Sequence, residues 1–360
     1  MNSAPPSPDI SSELFRSLLD AQEHSLEMLV YAARKDHRRL HTLLLSALAK
    51  EGVVLGSGAR DELRRAYERD RDYQEVYRAV AETTQCRVLK GQRLAERYPA
   101  GLRRPVGDLD LVLPNEEALW AGLRRAQHMR DVSHILLALH GEGGCELTAE
   151  IHWPSEDNVL DGDASAEFNT AALPGNFGTV GPCAVLPEDE WTASLLGLAE
   201  ERFQRPFGLR DVLDVHVLAA SMSPAQTVVD TVRSYGREPE ILELLTYADE
   251  RLEIGQLRAL KEALVQPARD EQARRNSSAR ETAVSHDEKD VDLRLKSGLP
   301  VQAFLLRRAE GRSTWTTARR HPFSRGWLYL TPVGDYLLCG GPVVARADYD
   351  SALKELERLG

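Results

Sequence analysis

Two aspartates, Asp108 and Asp110, interrupt the apolar run RRPVGDLDLVLP at residues 103–114. Strands disfavour aspartate, and a carboxylate buried without a partner costs several kcal/mol or takes up a proton. With the strand period of two, Val106, Asp108, Asp110 and Val112 share one face, while Gly107, Leu109, Leu111 and Leu113 share the other. The leucine face is the expected core, so both carboxylates project from the opposite face, where their repulsion calls for a cation. The run CELTAEIHW at residues 145–153 supplies a third acid by the same alternation: Glu146, Thr148, Glu150 and His152 lie opposite Cys145, Leu147, Ala149, Ile151 and Trp153. Asp108, Asp110 and Glu150 on adjacent strands would form an all-oxygen site suited to two Mg2+ (or Mn2+) ions. Such a site serves phosphoryl or nucleotidyl transfer with an NTP as co-substrate.

A triphosphate needs donors. Lys90 and Gly91 stand where the apolar run CRVL gives way to a helix, so free backbone N–H groups and the positive end of the helix dipole are expected there. Gln92 adds a donor, Arg103 and Arg104 are the nearest cationic side chains, and Gly107 is placed with them as a nucleotide-binding candidate. For each arginine, a solvated surface charge is the competing reading. His152 is read as a substrate contact, a proton carrier beside Glu150 or a hydrogen-bonded structural histidine. Arg210 opens a helix with Asp211, where contact with the nucleotide competes with helix capping and interhelix pairing.

Three other patterns are set aside. VVLGSG at residues 53–58, followed by Asp70-Arg71-Asp72, has a similar glycine and Asp-x-Asp spacing, but DELRRAYERDRDYQEVY between them has helical periodicity and would splay the two aspartates apart. His128, His134 and His140 straddle a helix and a strand and do not suit a metal. The scattered Cys86, Cys145, Cys183 and Cys339 form no CxxC pair and are expected as small core residues.

The elements that must position these groups can be placed from periodicity and turn residues. The expected class is α+β: a helical N-terminal bundle, a small mixed-sheet core, a helical region and a strand-rich C-terminal element. The expected boundaries are a disordered tail at 1–10, an N-terminal helical region at 11–85, a catalytic core at 86–186 and a helical region completing the cleft at 187–264. A linker at 265–298 and a small α/β element at 299–360 complete the chain. Within the core, NEEALWAGLRRAQ reads as a helix, and HILLALH and CELTAEIHW read as a hairpin joined by Gly141-Glu142-Gly143-Gly144.

Composition narrows the class. At 360 residues, with 42% hydrophobic and 28% charged, the chain can bury a sizeable core. No run is long and apolar enough to span a bilayer, and a cytoplasmic location is expected. The formal charge of −11 speaks against a membrane surface and makes a nucleic-acid partner unfavourable without excluding one.

The set VLKGQRLAERYP, RRPVGDLDLVLP and AEIHW resembles the DNA polymerase beta nucleotidyltransferase superfamily and, more closely, a bacterial family of uncharacterised nucleotidyltransferases. The resemblance runs from about residue 38 to about 218 and falls on Leu89-Lys90-Gly91, Tyr98-Pro99, Arg104, Asp108, Asp110, Glu150 and His152. Gly91-Gln92 departs from the glycine-serine pair of the wider superfamily, and nothing recognisable covers residues 230–360. The resemblance implies transfer of a nucleoside monophosphate from an NTP to an acceptor, here a small molecule or peptide, with release of pyrophosphate. The alternatives are a non-catalytic sensor or scaffold that binds Mg-NTP, and a toxin-like enzyme that modifies tRNA or protein.

Overall fold

The computed structural model describes residues 8–35, 40–220, 225–278, 289–309, 312 and 314–359. Two units are built from interleaved stretches. The first comprises residues 1–72, 89–107 and 186–274, and the second residues 73–88, 108–185 and 275–360.

The first unit is helical. Its elements are α1 (Ser12–Leu18), α2 (Leu26–Lys35), α3 (Leu40–Lys50), the first part of α4 (Ser57–Thr83), α5 (Gly91–Ala95), α8 (Glu190–Glu200), α9 (Leu209–Ala219), α10 (Ala225–Tyr235), α11 (Glu238–Asp249) and α12 (Leu257–Ser278). Phe15, Leu29, Leu40, Leu43, Leu44 and Ala47 recur at helical spacing and form one core with Tyr98, Leu102, Leu213 and Val217. Ile10 is already part of that core, so the expected disordered tail ends before it, and residues 1–7 lie outside the described residues. Asp70 and Asp72 fall inside α4, as the helical reading of that segment required.

The stretch 265–298, read from its polarity as a linker, is helical through Ser278 and again in α13 (Val291–Lys296), while residues 279–288 lie outside the described residues. Leu257, Leu260, Leu264 and Ala268 are buried at spacings of three and four, so a thin apolar stripe holds α12 although its other faces are charged.

The second unit is organised by a nine-stranded sheet in the order β1-β2-β5-β4-β3-β6-β9-β8-β7. The strands are β1 (Arg87–Leu89), β2 (Leu109–Val112), β3 (His134–His140), β4 (Glu146–Trp153), β5 (Ala164–Asn169), β6 (Val301–Arg308), β7 (Arg319–Phe323), β8 (Gly326–Leu330) and β9 (Gly334–Cys339). Helices α6 (Glu116–Met129), α7 (Asn158–Asp161) and α14 (Arg346–Leu359) accompany them. The C-terminal strands do not form a separate sheet. Leu137 of β3 pairs with Ala303 of β6, and the sheet continues through β9 and β8.

Alternation decides the two faces. Leu109, Leu111, Ala149, Ile151, Ala166 and Phe168 are buried on the core side. An added Cβ at Gly122 of α6 would come within 3.0 Å of Val80 Cγ1 and 3.4 Å of Phe168 Cε1, so Val80 would have to give way for any larger residue there. The β3–β4 turn carries Gly141, Gly143 and Gly144 at φ between 69° and 73°, a conformation that side chains with a Cβ resist. Cys145 is exposed beside that turn, and Cys86, Cys183 and Cys339 are half-buried. These cysteines sit at strand ends and turns, which corrects their reading as core residues.

Candidate active site

The polar face of the sheet carries the acids in one row. Asp110 of β2 is in register with Glu167 of β5 across a parallel pair, and Glu167 is in register with Glu150 of β4 across an antiparallel pair. Neighbouring strands lie about 4.8 Å apart, so each carboxylate has another as its lateral neighbour. Asp110 is 8% exposed, and Glu150 and Glu167 are half-buried. Asp108 is exposed and sits in a bend just before β2, one turn of the pleat from Asp110. The strand therefore begins at Leu109, three residues after Val106, where the alternation read from the sequence starts.

Two corrections to the sequence reading follow from this register. β2 and β4 are not adjacent, because β5 lies between them, so Asp108, Asp110 and Glu150 do not occupy neighbouring strands. The strand between them brings a fourth acid, Glu167, which was missed. The signal was present in ASAEFN, where Ala164, Ala166 and Phe168 alternate with Ser165, Glu167 and Asn169. Six residues rich in alanine carry little strand propensity, and only their pairing partners reveal the element.

The acids of this face differ in their partners. Glu150 Oε1 lies 3.1 Å from His152 Nε2. Glu167 Oε1 accepts from Asn169 Nδ2 at 2.9 Å. Glu146, further along β4, accepts from the Thr170 hydroxyl at 2.7 Å. His152 stands in register with His134 of β3, their rings edge to face with centroids 6.4 Å apart.

The donor set is chemically suited to a hard divalent cation, since it is made only of carboxylate oxygens on backbone already in register. Among the described residues no three His, Cys, Asp or Glu side chains converge closely enough to hold an ion. Holding a metal would therefore require rotamer changes in these side chains.

The expected phosphate residues lie in the first unit. Lys90 adopts φ 58° at the start of α5, and its ammonium pairs with Glu201 at 3.0 Å. Its stem runs against Gly197 of α8, where an added Cβ would meet Lys90 Cγ at 3.0 Å. The Gln92 side-chain amide is buried, and its Nε2 has no hydrogen-bond partner. Such an orphaned donor is costly unless a ligand completes it.

Arg103 donates to Asp70 at 2.6 Å and stacks over Tyr67 with 3.9 Å to the ring centroid. Burial raises the Asp70 carboxyl to about 6, against the pull of Arg103. Arg104 differs most from its reading as a phosphate ligand. It is buried, forms two 2.7 Å bonds to Asp214 and reaches the Gly91 carbonyl at 3.2 Å. The Tyr98 hydroxyl donates to the same Asp214 at 2.7 Å, and burial followed by the Asp214 charge pushes its pKa up.

Arg210 carries a buried Nε without a partner. Burial, followed by the neighbouring Arg104, lowers its pKa. Gly107 is exposed, and a Cβ there would meet nothing within 4 Å, so crowding does not explain the glycine.

No helix among the described residues is long and apolar enough to cross a membrane. No curated protein and no solved structure matches the chain. A family model described as an uncharacterised nucleotidyltransferase matches residues 21–253. That match takes in the acid-bearing strands and the helices on either side of them in sequence, and stops before the C-terminal strands. The chain belongs to this nucleotidyltransferase family.

Proposed function

We propose that the protein transfers a nucleoside monophosphate from an NTP to a hydroxyl, or similar group, of a small molecule or peptide and releases pyrophosphate. The observation that carries this reading is the in-register row Asp110–Glu167–Glu150, with Asp108 beside it, in a chain of a nucleotidyltransferase family. Adjacent carboxylates repel one another, and a half-buried row of them suits a site that is completed by cations.

Asp108 and Asp110 are assigned to both divalent ions, Mg2+ or Mn2+, with Glu167 as a further ligand. When bound, the ions polarise the phosphoryl oxygens and neutralise charge developing on pyrophosphate. Glu150 completes the ligation on the acceptor side and takes the acceptor proton, with His152 within hydrogen-bond distance to orient it or pass the proton on. In that step a bond forms between the acceptor oxygen and the α-phosphorus, and the bond from the α-phosphorus to the bridging oxygen breaks.

Lys90, Gly91 and Gln92 are assigned to the triphosphate, together with Arg103 and Gly107. The unpartnered Gln92 amide supports this, and the unpartnered Arg210 Nε supports an anion contact at that side chain. Arg104 keeps a place in the reading by a different route: its bond to the Gly91 carbonyl anchors the turn to Asp214.

The test is incubation with each NTP, Mg2+ or Mn2+ and candidate acceptors, following pyrophosphate release and a mass gain of one nucleotide. Asp110→Asn should abolish both while the circular dichroism spectrum is unchanged. Full turnover in that variant would contradict the assignment.

A further inference from the structure

A chain of hydrogen bonds crosses the polar face of the sheet and reaches Glu167. His140 Nε2 lies 3.1 Å from the Thr148 hydroxyl, Thr148 Oγ1 donates to Asn169 Oδ1 at 2.7 Å, and Asn169 Nδ2 donates to Glu167 Oε1 at 2.9 Å. His140, Thr148, Asn169 and Glu167 belong to three adjacent strands, β3, β4 and β5.

The direction of each bond follows from counting protons. Thr148 has a single hydroxyl proton, which it gives to Asn169, so it can only accept from His140, and His140 must carry its proton on Nε2. Asn169 receives that bond on Oδ1, which turns its amide N–H toward Glu167. A flipped amide would set Oδ1 against the carboxylate and remove the donor. All three donors therefore point the same way, toward Glu167.

The far end of the chain is closed to solvent. His140 is 1% exposed, its Nδ1 has no partner, and its ring meets Phe177 edge to face with centroids 5.4 Å apart. With the Nε2 proton committed to Thr148, Nδ1 is left as a buried acceptor without a partner. Asn169 is also buried, whereas Glu167 reaches the row it shares with Asp110.

We propose that His140, Thr148 and Asn169 are positioning residues for the acid row: together they fix the rotamer of Glu167 and hold its carboxylate beside Asp110. This rests on the reading of the row as a metal site. Outer partners of this kind typically change metal affinity or activity by about 10–100-fold when removed.

The test is Mn2+ affinity of the full-length protein, measured by electron paramagnetic resonance without nucleotide, alongside a thermal melt. Thr148→Val keeps the side-chain shape and cuts the chain, and should weaken Mn2+ binding about tenfold. Thr148→Ser restores the hydroxyl and should return affinity to within about twofold of wild type, a rescue that a packing role alone would not require. Asn169→Leu removes the last link and serves as the second variant if Thr148→Val is unstable. Wild-type affinity in a folded Thr148→Val or Asn169→Leu protein, with Asp110→Asn impaired, would overturn the positioning role alone. Wild-type affinity in Asp110→Asn, or no Mn2+ uptake by the wild type, would overturn the metal-site reading and this proposal with it.

Discussion

Two groups of charged residues in this protein surround their carboxylates in opposite ways. In the first unit, Asp214 is fully buried and receives both a bidentate guanidinium from Arg104 and the hydroxyl of Tyr98. In the second, Asp110, Glu167 and Glu150 stand in register with one another, like charge beside like charge. The first group balances its charge inside the fold and acts as a fastening. The second sets like charges in register on one face of the sheet, and in the proposed function it is the place for chemistry.

The contrast can be broken by substitution. The largest effect is expected on catalysis: Asp108→Asn should slow transfer by about three orders of magnitude, equivalent to about 4 kcal/mol. Because Asp108 is exposed, its melting temperature should stay within about 2 °C of wild type. Asp214→Ala should do the reverse. It strands the buried Arg104, costs about 3 kcal/mol and lowers the melting temperature by about 10 °C, read by calorimetry. If Asp214→Ala melted like wild type, the fastening role would be lost.

Glu150→Gln sharpens the comparison within the row. It should lose about a hundredfold in turnover while keeping measurable Mg-NTP affinity, because proton acceptance fails before binding does. Unchanged turnover would remove Glu150 from the acceptor side.

The smallest expected effect is on pH dependence. Burial pushes His140 down to about 4 from its ordinary value near 6.5. Between those values the unfolded chain takes a proton that the folded chain refuses, so the stabilisation is complete above pH 6.5 and is lost as pH falls toward 4. By pH 5 the loss amounts to about 2 kcal/mol. His140→Gln should flatten that part of the stability profile, measured by urea unfolding at pH 7 and pH 5, and an unaltered slope would refute the assignment.

Much of this site was legible in local pattern. β3, β4 and α6 lie close to where alternation and caps place them, with Asn115 capping α6 through the Ala118 N–H. The outward direction of Asp110 and Glu150 followed from period two. Strand order did not, because β5 enters between β2 and β4 from residues further along the chain, and no local signal announces a lateral neighbour. The same holds for Arg104, whose partner Asp214 lies 110 positions away in sequence. Polarity misled over residues 265–278, where α12 runs on past the helical region expected to end at 264, with Ala268 buried on the stripe that Leu257, Leu260 and Leu264 begin.

The most direct test of the central claim is a label-transfer assay. Wild type and Asp108→Asn are incubated with each α-labelled NTP, Mg2+ and an extract of the host cell. A labelled product with matching pyrophosphate from the wild type alone is the predicted result. Equal labelling by the variant, or release of phosphate in place of pyrophosphate, would contradict the acid row as the site of nucleotidyl transfer.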